Sequence, residues 1–446
     1  MKISLKNIAK IENAEVAMDG ITVIAGENNT GKSTLGKVIF SIYNSVHDYE
    51  EKIKNEKLNE LINLLKSYLK DLTRKNLQGI NIPRIALVRN FFEVSENYET
   101  SIKKRISDRI DNNELFDFST LNEIVEEYNE FIHASYKKIE NNVEISEQSD
   151  EVIEELNNII ELPADDIIKK MMTMQLNTEF GNQINNIYNT RNGEIIISDK
   201  QSNDFSLIIE NNKISKISNY SSLDQFTVEY IDDPYVIDRL SDYSFRPLDI
   251  YFEDHREALK NDLKKEMKPL LREMINEKNT ENVLNFEQID EAVNGRVFYD
   301  REKRKYVYKQ PNKSETLNVE NVSSGVKSLL ILKTLLLNGS INKDSLLVLD
   351  EPEVHLHPEW QLLFSRLVIS IQKKLGVKIL VTTHSPYFLN AIEILSKKNE
   401  INTKYYLTEE TDKDQYQVVD TSNDLERIYK KLAEPFQKLE NMKYES

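Results

Sequence analysis

The segment Ile21–Phe40, ITVIAGENNTGKSTLGKVIF, admits few folds, because an apolar strand runs through a glycine loop into a helix. Ile21, Val23, Ile24 and Ala25 form a short apolar run suited to a buried parallel strand, and the residues from Lys32 onward are helix-compatible. Between them, Gly26, Gly31, Lys32 and Ser33 fill the pattern G-x-x-x-x-G-K-[ST] of a P-loop. Four of the chain's 11 glycines, Gly20, Gly26, Gly31 and Gly36, crowd into this region. Such a loop surrounds a phosphate chain with backbone N–H groups and the positive end of a helix. The expected nucleotide contacts are Gly26, Glu27, Asn28, Asn29, Thr30, Gly31, Lys32, Ser33 and Thr34, with Lys32 reaching the terminal phosphates and Ser33 offering a hydroxyl to Mg2+.

A P-loop says only that a phosphate chain is held. Three later clusters say more. Val319–Leu337, VENVSSGVKSLLILKTLLL, reads as a small polar turn opening an apolar helix. The strand SLLVLD ends at Asp350 and leads directly into Glu351, Pro352 and Glu353, and the strand KILVTT ends at His384, Ser385 and Pro386. Strands alternating with helices predict a parallel or mixed sheet with ligands at the strands' carboxyl ends. There Asp350 is placed to share Mg2+ with Ser33, Glu351 to accept a proton from an attacking water, and His384 to donate to a γ-phosphate. That is the positioning and charge stabilisation that phosphoryl transfer to water needs.

Together GENNTGKS, VSSGVKS, LLVLDEPEVHLHP and VTTHSP resemble the ABC-type ATPases of the RecF-, SMC- and OLD-like branch. The resemblance covers roughly residues 1–40 and 318–390. It implies an α/β fold: an ABC-type P-loop ATPase head with a mixed or parallel sheet, a β-rich lobe and a helical insertion. It also implies ATP and Mg2+ as cofactors, and a head-to-tail dimer in which Ser323, Ser324 and Gly325, at the signature-loop positions, reach the partner's γ-phosphate. Val326 takes the last signature position, where transporters usually have glutamine. Glu353, His355 and His357 fall in the loop that such proteins use for dimer contacts. Gln183 is the candidate for the glutamine that links nucleotide site and insertion in such proteins.

About 290 residues separate Lys32 from Ser323, more than a transporter head carries, and no apolar run approaches the ~18 residues of a membrane span. With 58 basic and 75 acidic residues the net charge is −17, which argues against nonspecific coating of nucleic acid. The absence of cysteine removes disulfides and thiolate metal sites, and with no signal peptide visible a cytoplasmic location is expected.

Expected boundaries are 1–44 for the N-terminal part of the head, 45–177 for a helical insertion, 178–250 for a β-rich part and 251–446 for the C-terminal part. In the insertion, residues 51–110 carry a basic excess and 111–180 an acidic one, so antiparallel halves of opposite sign can face each other. Asn192-Gly193 and Asn211-Asn212 read as hairpin turns. A helix is expected over Arg256–Lys278, with Pro269 as a kink, and Gly79, Pro83 and Pro163 as punctuation of the insertion. VFYDREKRKYVYKQ from Val297 reads as a basic hairpin, either a solvated turn or a patch for nucleic acid or an acidic partner. Ser422 or Asn423 is expected to cap a terminal helix.

The residues after His384 are too few for a Toprim domain, so no nuclease activity is expected in this chain. Two functions fit. One is an ATP-driven switch controlling a separately encoded effector or nuclease, which resembles ATPase subunits of bacterial antiphage defence systems. The other is a RecF- or SMC-like ATPase acting on DNA in repair or recombination.

Overall fold

The structure, a computed structural model, describes residues 1–77, 88–91, 96–136, 139, 141–145, 149–199, 204–241, 252–266, 293, 295–310, 313–412 and 414–443. These fall into two compact units: Met1–His47 with Lys169–Ser446, and Asp48–Ile168. Gly79, Pro83, Pro269 and the segment 267–278 of the expected helix lie outside the described residues.

In the first unit, strands β1 (Lys2–Ile8) and β2 (Ile11–Ala17) alternate buried and exposed positions and pair antiparallel, as half-buried strands should. By contrast β3 (Ile21–Ala25) is buried along its whole length. So are β11 (Ser345–Asp350) and, but for its first residue, β12 (Lys378–Thr383). Continuous burial marks strands covered on both faces, and all three run parallel in the order β3, β12, β11. Strand β7 (Thr227–Ile231) adds parallel to β11, and β13 (Thr403–Asp412) parallel to β3. Strand β14 (Gln415–Asp420) joins this half to β2, and β4 (Gly193–Ser198), β5 (Phe205–Glu210) and β6 (Lys213–Ser218) extend the sheet antiparallel beyond β1. The result is an 11-stranded mixed sheet, the expected α/β class.

Helix α1 (Lys32–Val46) packs against the parallel half, and Gly36 permits it: a Cβ there would stand 2.8 Å from Val348 and 3.3 Å from the Tyr230 ring. The basic hairpin forms as expected, with β8 (Arg296–Asp300) and β9 (Lys305–Lys309) joined by an exposed turn and flanked by β10 (Thr316–Asn318).

Of the two expected hairpin turns, Asn211-Asn212 forms, with φ of 51° and 60°. Asn192-Gly193 does not. Gly193 is the first residue of β4, paired with Ile209, and a Cβ on it would meet Ile8 at 2.8 Å. The glycine serves close strand packing rather than a turn. The terminal helix Leu425–Met442 starts from Asp424 without a side-chain cap, because the Ser422 hydroxyl is engaged with the Tyr405 backbone N–H.

The second unit is helical: α2 (Tyr49–Asn76), α3 (Glu96–Asn112), α4 (Phe118–Ser135) and α5 (Ser149–Glu161) enclose a core with Leu65, Leu69, Ile102 and Tyr128 at its centre. It lies within the stretch 45–177. Helix α6 (Ala164–Phe180) carries the chain across its end at Ile168. Opposite charges meet inside it, Lys54 with Asp111 at 2.5 Å and Arg105 with Glu127 at 2.9 Å.

Candidate nucleotide site

Parallel strands of one direction deliver their carboxyl ends to one edge, and Ala25, Thr383 and Asp350 end the adjacent β3, β12 and β11. The P-loop leaves β3 there. Gly31, at φ 87°, caps α1 in the left-handed conformation that favours glycine, and the first turn of α1 carries no acidic side chain. The helix therefore presents N–H groups and its positive end without a carboxylate from its own first turn. Glu27, Asn28 and Asn29 are exposed at the loop's rim, Gly31 and Ser33 half-buried, and Gly26, Thr30, Lys32 and Thr34 buried.

The Lys32 amine donates to the carbonyls of Gly26 at 3.1 Å and Glu27 at 2.7 Å, and lies 3.1 Å from Glu351 Oε1. His384 Nδ1 stands 3.5 Å from Glu351 Oε2, outside hydrogen-bond geometry. Thus Lys32 meets Glu351 and His384, both more than 300 residues further along the chain, at one point. Glu351 has φ 48°, a left-handed backbone at a non-glycine residue, which costs roughly 1–3 kcal/mol and persists only where the surroundings enforce it. Thr382 enforces it: its carbonyl and its hydroxyl accept from the Glu351 N–H at 3.2 and 3.0 Å.

Asp350 is buried, with Oδ1 accepting from the Thr382 hydroxyl and Oδ2 from the Tyr230 hydroxyl at 2.9 Å. A carboxylate oxygen has two lone pairs, so each keeps one. Together with the half-buried Ser33 hydroxyl this oxygen donor set fits Mg2+, which favours carboxylate and hydroxyl ligands.

Glu353 does not face outward as a dimer-contact residue would. It is 2% exposed, and its Oε1 accepts from the Thr383 hydroxyl and, at 3.1 Å, the His384 N–H. Burial raises its carboxyl above the ordinary value, against the pull of those hydrogen bonds. Its place is beneath the β12 end that carries His384. His357 caps helix α9 (Pro358–Leu375), and His355 meets Tyr235 edge-on at 5.6 Å. Gln183 is exposed in the turn after α6, its N–H bonded to Phe180.

The signature segment opens helix α8 (Ser324–Asn338) from Ser323, whose exposed hydroxyl caps nothing. Behind it Gly325 packs on Leu356, Trp360 and the His355 carbonyl, where a Cβ would come within 3.3–3.6 Å. Among the described residues, no hydrogen bond of Ser323, Ser324 or Gly325 reaches the P-loop of its own chain.

The AAA ATPase domain family matches residues 1–389. The chain belongs to this family. The matched range holds the P-loop, the signature segment, Asp350–Glu351 and His384. No curated protein matches this AAA ATPase. Among solved structures it is similar to an SMC head domain from Thermotoga maritima, at 10% identity over 94% of this chain and 97% of that one, with a TM-score of 0.35. It is also similar to an Smc head domain with an extended coiled coil from Pyrococcus furiosus, bound to the C-terminal domain of ScpA. There the identity is 11% over 99% of this chain and 98% of that one, with a TM-score of 0.36. Among the described residues, no helix of this ATPase is long and apolar enough to cross a membrane.

Two supports of the site come from segments with no motif. Thr408 on β13, beyond the matched range, bonds the Thr30 hydroxyl at 2.7 Å and would lie 1.8 Å from a Cβ on Gly26. Tyr230 on β7 holds Asp350. Burial first, and then the charges of Asp350 and Asp232, raises its hydroxyl far above the ordinary value, so it is a donor.

Proposed function

We propose that the chain is an ATP-hydrolysing switch that closes head-to-tail with a second copy around ATP and controls a separately encoded effector, as in bacterial antiphage defence. The observation that carries the hydrolytic part is the meeting of Lys32, Glu351 and His384 at the edge where the P-loop leaves the sheet. Lys32 and the α1 N-terminus bind the β- and γ-phosphates. Ser33 and Asp350 would hold Mg2+, which when bound would offset charge on the phosphate oxygens. Glu351 takes a proton from the attacking water as its oxygen bonds the γ-phosphorus and the bond to the β-phosphate oxygen breaks, and His384 donates to a γ-oxygen.

The exposed Ser323, with half-buried Ser324 and Gly325, supports contact in trans: among the described residues they make no hydrogen bond to their own P-loop, which leaves them available to a partner copy's γ-phosphate. Net charge of −17 favours control of another protein over coating of nucleic acid.

The second reading, an ATPase acting on DNA, rests on the exposed turn of the β8–β9 hairpin, where Arg301, Lys303 and Arg304 cluster. Light scattering of Glu351→Gln with and without ATP and Mg2+ tests closure: the mass doubles with ATP, and Ser323→Arg abolishes the doubling. A mass indifferent to nucleotide removes the in-trans roles. Stimulation of wild-type hydrolysis by duplex DNA, lost on Arg301→Glu/Arg304→Glu, would favour the second reading.

A further inference from the structure

A buried polar chain that takes no part in the proposed hydrolysis runs from Asp350 away from the P-loop. Its first member is Tyr230, 2% exposed, whose hydroxyl donates to Asp350 Oδ2 at 2.9 Å. The Tyr230 ring lies flat on the imidazole of His255, centroids 4.1 Å apart and planes 20° off parallel, and Phe40 of α1 closes edge-on against both. His255, the first residue of helix α7 (His255–Leu263), is fixed in turn by two carboxylates. Its Nδ1 is 2.8 Å from Glu179 Oε2, its Nε2 is 3.0 Å from Asp232 Oδ2, and its backbone N–H donates to Glu179 Oε1 at 2.6 Å. Arg256 braces Asp232 from the other side at 2.5 Å.

This arrangement is specific in what it supplies. A carboxylate that binds a cation must keep its negative charge and hold its plane. An arginine or lysine beside Asp350 would fix the plane but compete with the cation, whereas Tyr230 and Thr382 are neutral donors that take one lone pair of each oxygen and leave the other. A tyrosine hydroxyl is only as well placed as its ring, and here the ring is gripped by a stack whose other member, the His255 imidazole, meets two acids at its nitrogens. Gly36 leaves the room that the ring needs.

We propose that Tyr230, clamped by His255, is a positioning residue for Asp350, orienting its carboxylate for the divalent cation while leaving nucleotide binding itself untouched. The proposal rests on the reading of Asp350 as the cation-holding carboxylate. Outer partners of this kind typically change metal affinity by roughly 10- to 100-fold when removed.

The test uses the full chain in a Glu351→Gln background with ATP, and Mn2+ as the probe, its affinity read by electron paramagnetic resonance. ATP affinity in EDTA and the melting temperature are measured alongside. Tyr230→Phe keeps the ring and the stack and deletes only the donor; Mn2+ binding should weaken about tenfold with ATP affinity in EDTA within twofold of the parent. His255→Gln keeps an amide for the carboxylates but loses the stack, and should weaken Mn2+ binding in the same direction by a smaller factor. Unchanged Mn2+ affinity in folded Tyr230→Phe overturns the proposal. Unchanged affinity in His255→Gln with a loss in Tyr230→Phe overturns the clamp. Asp350→Asn separates the levels: if it leaves Mn2+ affinity intact, the reading of Asp350 itself fails.

Discussion

The Lys32 amine lies 3.1 Å from Glu351 Oε1, so the cation expected to meet ATP's terminal phosphates holds the carboxylate expected to activate water. The amine is also tied to the Gly26 and Glu27 carbonyls within the loop. If Lys32 meets the γ-phosphate as proposed, arrival of the phosphate chain would compete with the Lys32–Glu351 pair and free the carboxylate, which would link activation of the proposed base to occupancy of the P-loop.

Glu351→Gln removes both the proposed base and the carboxylate paired with Lys32. Hydrolysis should fall by about a hundredfold or more, the usual scale for a general base. ATP affinity should hold or rise, since the amine no longer has an anionic partner. Single-turnover hydrolysis and equilibrium ATP binding read the two effects separately; loss of both together would place Glu351 in binding rather than in catalysis. Lys32→Ala should show the opposite split, with affinity lost first.

Gly26→Ala should abolish ATP binding, because the added Cβ would stand 1.8 Å from the Thr408 hydroxyl oxygen and 3.2 Å from its Cβ. Thr408→Ala should weaken ATP binding only severalfold, as Thr30 keeps its bond to the Glu27 carbonyl at 2.8 Å. The double variant should bind ATP better than Gly26→Ala alone, since the clashing oxygen is gone. Two residues in contact are expected to be non-additive in this way; simple additivity of the binding losses would refute the steric account.

His255 gives the fold a defined pH dependence. Burial opposes its charge, but the hydrogen bonds and charges of Asp232 and Glu179 outweigh that and raise it from 6.5 to about 9. A histidine raised on folding contributes stability in full below its unfolded value, and that stability is lost as pH climbs through the folded value. The contribution is on the order of 3 kcal/mol at pH 6, declining between pH 6.5 and 9. Asp232 is lowered to about 2, against burial, by His255 and Arg256; the His255 part reports the same interaction, and only the Arg256 part is separate. The stability gap between wild type and His255→Gln in urea should be widest near pH 6 and small by pH 9.5. A gap constant with pH would mean that His255 is not charged in the fold.

The parts of the site that could be read from sequence are those that lie close along the chain. Gly26 to Thr34 form one loop whose spacing alone dictates a strand, a turn and a helix. Asp350–Glu351 and His384 stand at the ends of apolar runs, so parallel pairing of those runs brings them together. Tyr230, His255, Glu179 and Thr408 had no such signal. Each is an ordinary residue in an ordinary strand or helix, and only the order β3, β12, β11, β7 puts Tyr230 beside Asp350. Gly193 misled for a related reason: an Asn-Gly pair favours a turn locally, but pairing with Ile209 and the approach of Ile8 decide the backbone. Glu353 misled because its burial under Thr383 is tertiary, although its neighbours in sequence, Val354 and Glu351, are more exposed.

Lys327 is the last determinant of the proposed in-trans contact. It sits one turn into α8, 1% exposed at its side chain, with its amine 2.7 Å from Asp238, 3.2 Å from the Glu320 carbonyl and 4.9 Å over the Tyr235 ring. It thereby ties the turn before Ser323 to the segment Pro234–Ser241. Removing one partner of a buried pair leaves the other charge uncompensated; since Asp238 is 23% exposed, Lys327→Met should cost about 2–3 kcal/mol, below the usual range for fully buried pairs. Adding Asp238→Leu removes the stranded charge and should return most of that stability. It does not restore the link to Glu320, so the double variant in the Glu351→Gln background should be stable yet deficient in ATP-dependent doubling of mass. Recovery of stability and doubling together would show that Lys327 stabilises the core without ordering the signature turn.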